Sequence, residues 1–70
     1  MEKVSAHITG TVVKIEKKAG EPVSPGDVVV VLESMKMEMP IEATESGRVK
    51  EVRCTEGQPV SEGDVLLVIE

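Results

Sequence analysis

Adding 37 to a residue number in the first half of this 70-residue chain returns the second half. Gly10 to Glu33 (GTVVKIEKKAGEPVSPGDVVVVLE) aligns without a gap on Gly47 to Glu70 (GRVKEVRCTEGQPVSEGDVLLVIE), and 11 of these 24 pairs are identical. Ile15/Val52, Val29/Leu66, Val30/Leu67 and Leu32/Ile69 exchange one aliphatic for another, and upstream Val4/Ile41 and Ala6/Ala43 keep the register. All six glycines fall into pairs, so they mark turns that occur twice. Two copies are too few for a solenoid, whose units need neighbours on both sides. The repeat predicts one domain over residues 1–70, built of two half-repeats, 2–33 and 39–70, closing on each other about an approximate two-fold axis.

Each half reads as four short strands. Val4 and Ala6 alternate with Ser5 and His7, and Ile41 and Ala43 alternate with Glu42 and Thr44, which is the period of a half-buried strand. Gly10 and Gly47 turn the chain into a second strand, ended at Gly20 and Gly57. In that strand the apolar pairs Val12/Val49 and Ile15/Val52 lie three apart and break strict alternation, so a bulge is expected. Pro22-Val23 and Pro59-Val60 read as short edge pieces, because proline cannot donate to a ladder. Ser24-Pro25-Gly26-Asp27 and Ser61-Glu62-Gly63-Asp64 read as tight turns before the long final strands, 28–33 and 65–70. The fold class is all-β: two four-stranded antiparallel sheets packed face to face as a flattened barrel or sandwich.

Composition narrows the function. A chain of 70 residues allows one small domain and rules out a self-contained two-site enzyme. Lys+Arg 8 against Asp+Glu 13 gives a net charge of −5, so a nucleic-acid partner is not expected. There are no aromatic residues for stacking platforms or cation cages. One Cys and one His cannot build a zinc cage, and a lone Cys cannot form an internal disulfide. Cys54 pairs with Lys17 in the repeat and His7 with Thr44, and both are read as structural or incidental. The longest apolar runs, 28–32 and 65–69, are five residues each, so no membrane role is expected. The start has no apolar signal segment, and the expected location is the cytoplasm.

One stretch has no repeat partner: Ser34-Met35-Lys36-Met37-Glu38, the joint between the halves. Under two-fold symmetry it links the last strand of one half to the first strand of the other. It is therefore expected as a hairpin at one pole, opposite both termini, with Lys36 at its tip. The residues are poor for an ordinary hairpin. Two-residue loops need φ > 0 and favour Asn-Gly or Gly-containing pairs, yet this one carries Met-Lys-Met and no glycine. Local rules tend to fail where function overrides them. One reading of Met35 and Met37 is that they cap the core at this end, which is compatible with contact to a ligase or partner.

Glu33-Ser34-Met35-Lys36-Met37-Glu38 resembles the Met-Lys-Met attachment motif of biotinyl domains, the carrier domains of biotin-dependent carboxylases. With the Gly-Asp turn before each final strand and the doubled halves, the resemblance to the biotin/lipoyl attachment family covers essentially the whole chain, and it is strongest to its free-standing members. The resemblance implies that Lys36 is the residue amide-linked to biotin. An ammonium is no nucleophile until it loses its proton, so a biotin protein ligase must bind the tip, take that proton and present an activated acyl group. The resulting arm would swing carboxybiotin between biotin carboxylase and carboxyltransferase components, while this chain, a monomer in isolation, does no catalysis itself. Met35 and Met37 would be flanking recognition residues.

Glu33 stands where attachment domains commonly carry an acid, which suggests ligase recognition, but its repeat mate Glu70 suggests duplication and strand-end solubility instead. Glu38 reads as solvated and Pro40 as a block to edge pairing. The segment from Lys17 to Val28 has the length of its repeat mate, so the thumb insertion of some biotin carboxyl carriers is not expected. Two other functions compete. A lipoyl carrier of a 2-oxoacid dehydrogenase or glycine-cleavage type system, with lipoate as cofactor, shares the fold, but such domains typically place Asp before the lysine and a small residue after it. An unmodified β interaction module is the third reading, and Lys36 argues against it.

Overall fold

The computed structural model describes residues 2–70 and consists of eight strands. These are β1 (Glu2–Ser5), β2 (Gly10–Ile15), β3 (Pro22–Val23), β4 (Val28–Ser34), β5 (Met37–Glu42), β6 (Gly47–Val52), β7 (Pro59–Val60) and β8 (Val65–Ile69). They form two antiparallel four-stranded sheets, ordered β1-β8-β6-β3 and β5-β4-β2-β7. The 37-residue offset carries β2 onto β6 and β3 onto β7 residue for residue, and it carries the first sheet's order onto the second's. The doubled all-β architecture read from the sequence is the one observed.

The halves do not sit side by side, each with its own sheet. Each sheet takes its two inner strands from one half and both edge strands from the other. Backbone hydrogen bonds tie the exchange down twice. The Ala6 amide donates to the Asp64 carbonyl at 2.8 Å, and its repeat mate Ala43 donates to Asp27 at 2.9 Å. The Gly63 amide returns a bond to Ala6 and the Gly26 amide one to Ala43, both at 2.8 Å.

Inward-facing aliphatics from both sheets make the core, with Leu32, Leu66, Leu67, Ile69, Val12, Val29, Val30 and Val49 fully buried. No aromatic is needed because β-branched and leucine side chains fill the thin space between two small sheets. The expected bulge is present in both halves. Val12 faces Leu32 and Lys14 faces Val31, so Val13 is the extra residue, and Lys50 is its counterpart. The bulge restores Ile15 to the inner side and turns Val13 toward solvent.

Several boundaries differ from the sequence reading, among them the last strand, which ends at Ile69 rather than at residue 70. The second strand ends at Ile15 and Val52, ahead of Gly20 and Gly57. Those glycines instead serve tight turns with φ of 92° and 90°, and their amides donate to Val49 and Val12 of the opposite half. The joint is also shorter than 34–38, since Ser34 closes β4 while Met37 and Glu38 open β5. Pairing persists to the Ser34–Met37 rung because cross-strand bonds satisfy backbone groups that a wider loop would leave to water. Between β2 and β4 the chain carries only β3 and its turns, matching the segment between β6 and β8.

Candidate functional site

The β4–β5 ladder runs Leu32–Met39, Glu33–Glu38, Ser34–Met37, and leaves two residues for the turn. Strands with a right-handed twist are commonly joined in two residues by a type I′ turn, which has φ > 0 at both. Met35 (φ 53°) and Lys36 (φ 67°) adopt that backbone. They are the only non-glycine residues among those described to do so, and every other left-handed position is a glycine: Gly20, Gly26, Gly57 and Gly63. A side chain there costs about 1–2 kcal/mol per residue relative to the right-handed region. Among the described residues, left-handed backbone falls on glycine everywhere except at this tip.

The tip is exposed throughout. Met35 is 92% and Met37 64% accessible, which excludes the expectation that they cap the core. Met37, Met39 and Ile41 alternate on the inward side of β5, and they pass from exposed through half-buried to buried. The hairpin thus overhangs the end of the barrel, and Met37 lies on a core-type face with no core beneath it. Lys36 is exposed and forms no ion pair among the described residues. Its amine is free to enter a partner's site, and two thioethers beside it offer polarizable, adaptable apolar contact.

Glu33 is exposed on β4 and faces Glu38 directly across the ladder. Two like charges in register are unfavourable, and neither carboxylate has a cation within salt-bridge distance among the described residues. The structure therefore brings Glu33, Met35, Lys36 and Met37 together on one hairpin, with Glu38 added to the set.

Sequence reasoning missed the support beneath. Gly10 on β2 runs so close to the hairpin root that a Cβ there would lie 2.5 Å from the Glu33 carbonyl oxygen. The pairing of Gly10 with Gly47 in the repeat was the available signal, because Gly47 stands in the same relation to the Glu70 carbonyl, also at 2.5 Å.

The residues set aside as structural lie elsewhere. Asp27 and Asp64 accept from the Ser24 and Ser61 amides at 2.9 and 2.8 Å, which closes their turns. Cys54 is a free, buried thiol, and burial pushes its pKa up. His7 is exposed and borders an open groove with Pro40 and Ile41 of β5, near the hairpin's strand but not at its tip. The described residues contain no cluster of His, Cys, Asp and Glu able to hold a metal ion, and no helix long and apolar enough to cross a membrane.

Comparison with known proteins agrees with this geometry. The family model described as "Biotin-requiring enzyme", the biotin/lipoyl type, matches residues 1–69. The biotin/lipoyl attachment protein of Bacillus subtilis is 53% identical over 44 residues, covering 63% of this chain and 60% of that protein. The biotin-dependent acyl-coenzyme A carboxylase alpha3 subunit of Mycobacterium leprae is 50% identical over 46 residues, 66% of this chain but 8% of that protein. The biotinylated protein TB7.3 of Mycobacterium tuberculosis is 48% identical over 42 residues, covering 60% of this chain and 59% of that protein. The matched region is thus less than two thirds of each of these relatives. Among solved structures, Kluyveromyces lactis urea carboxylase superposes with a TM-score of 0.93 at 36% identity, over 99% of this chain and 6% of that one. The lipoyl domain of the Azotobacter vinelandii 2-oxoglutarate dehydrogenase complex gives 0.77 at 27% identity, over 96% and 95%. The chain belongs to the biotin/lipoyl attachment domain family, and it is a carrier domain similar to those of biotin-dependent carboxylases.

Proposed function

We propose that this chain is a biotin carrier, and that Lys36 is the residue a biotin protein ligase acylates. The observation that carries the reading is the turn itself: two side chains held in left-handed backbone where every comparable position among the described residues has glycine, with an exposed lysine amine at the apex. An amide bond to the biotin carboxyl removes the charge and leaves the lysine stem plus the biotin chain as a long arm on a rigid base. Tethering holds the ring at about millimolar effective concentration for both a biotin carboxylase and a carboxyltransferase. Reaction at those sites belongs to the partners, and the carrier supplies reach and orientation.

Biotin is preferred to lipoate because Met35 and Met37 flank the lysine and because relatives carry names such as "biotinylated protein". A lipoyl carrier is the second reading, favoured only by the shared fold. The test is expression with both coenzymes and both ligases available, read by intact mass. A single biotinyl addition is expected, absent in Lys36→Ala. A lipoyl addition, or a biotinyl mass that survives the substitution, overturns the assignment.

A further inference from the structure

We infer that Gly10, on a different strand and 26 residues before Lys36 in the chain, is a positioning residue for the attachment lysine; the inference rests on the attachment reading above. The hairpin leaves the barrel at Glu33 and Ser34, and what lies directly against that root is the backbone of Gly10. A Cβ on Gly10 would stand 2.5 Å from the Glu33 carbonyl oxygen, 3.2 Å from its carbonyl carbon and 3.4 Å from the Ser34 Cβ. The first contact is with backbone, so no rotamer change relieves it. The root of β4 must retreat by about half an ångström or more.

That displacement is delivered where leverage is greatest. Glu33 belongs to the last rung but one before the turn, and beyond it only Ser34, Met35 and Lys36 follow. The pole beyond the Ser34–Met37 rung is exposed, with nothing to push the tip back. A shift at the root therefore reorients the whole turn, and the amine with it. Gly10 adopts no left-handed backbone, so its glycine is required by proximity and not by φ.

The repeat supplies an internal control. Gly47 meets the Glu70 carbonyl oxygen at the same 2.5 Å and in addition the Ile69 Cγ2 at 2.9 Å. Gly47→Ala thus disturbs the barrel at least as much as Gly10→Ala, but it does so at a contact remote in the ladder from the β4–β5 turn. If close glycine packing serves only the fold, the two substitutions act alike. If Gly10 also aims the lysine, they part.

The experiment is ligase-catalysed biotinylation of the full chain followed by intact mass, with Gly10→Ala, Gly47→Ala and wild type at equal folded concentration. For Gly10→Ala, kcat/KM is expected to fall about tenfold or more relative to Gly47→Ala, mainly through kcat, because docking survives and the attack geometry does not. Equal rates for the two variants overturn the inference while leaving the attachment reading intact. Absence of a biotinyl mass on wild-type Lys36 overturns the attachment reading instead. Should Gly10→Ala fail to fold, amide exchange in the wild-type protein decides. The Ser34 and Met37 amides are expected to be protected like those of the β4 interior. Exchange as fast as the exposed 44–46 turn means the root is not held, and the inference fails.

Discussion

Glu33 and Glu38 stand directly opposite each other across the β4–β5 ladder, one rung below the turn that carries Lys36. Neither is neutralised by a salt bridge among the described residues, so the base of the hairpin holds an uncompensated like-charge pair. Replacing one partner by a cation, Glu38→Lys, is expected to stabilise the protein by about 0.2–1 kcal/mol. Urea unfolding checks this at low ionic strength. The gain should shrink in 1 M salt, where the screening length is roughly 3 Å.

The strained turn predicts a trade between stability and function. Installing Asn-Gly in place of Met35-Lys36 gives both positions residues suited to left-handed backbone. Stability is expected to rise by about 1–2 kcal/mol, several degrees in Tm for a domain of this size. Modification should vanish in the same variant. Thermal unfolding and intact mass on one preparation report both effects.

Gly26 and Gly63, at φ of 91° and 96°, are repeat mates in which no side chain is at home. Nothing crowds either one, so the cost of alanine is purely conformational. Each substitution is expected to cost about 1–2 kcal/mol, and by symmetry the two costs should agree closely. Chemical denaturation of the pair is the check.

Cys54 gives a pH dependence with a definite sign. Burial raises its thiol pKa above the ordinary 9.0, so the unfolded chain ionises first as pH rises. Its contribution to stability is complete below about pH 9 and is lost progressively above it. The loss should be smaller in Cys54→Ala, measured as the slope of unfolding free energy between neutral and alkaline pH. Alkylation of the native thiol should likewise be slow until denaturant is added.

Much of this fold was legible because duplication writes each element twice. The Val12/Val49 and Ile15/Val52 spacing disclosed the bulge, and the unpaired 34–38 stretch disclosed the hairpin. Spacing could not reveal how far pairing climbs toward the tip, since Ser34 and Met37 look like loop residues until a ladder closes over them. Nor could it show which half donates each edge strand, because either arrangement satisfies the same alternation. The tip was readable through its missing glycine, a local rule broken. Its foundation at Gly10 was not, because a close approach between strands distant in sequence leaves only a glycine that resembles a turn residue.

The exchange of edge strands between the halves has an architectural corollary. A half-length chain of this design would have no sheet of its own half to receive β1 and β3, so two copies exchanging edge strands would be needed to complete both sheets. Joining two such copies end to end keeps every rung of both sheets and adds one covalent bridge, the β4–β5 bend. The place where the modification is read to occur is thus the seam between the two halves, a stretch with no symmetry mate to constrain its residues.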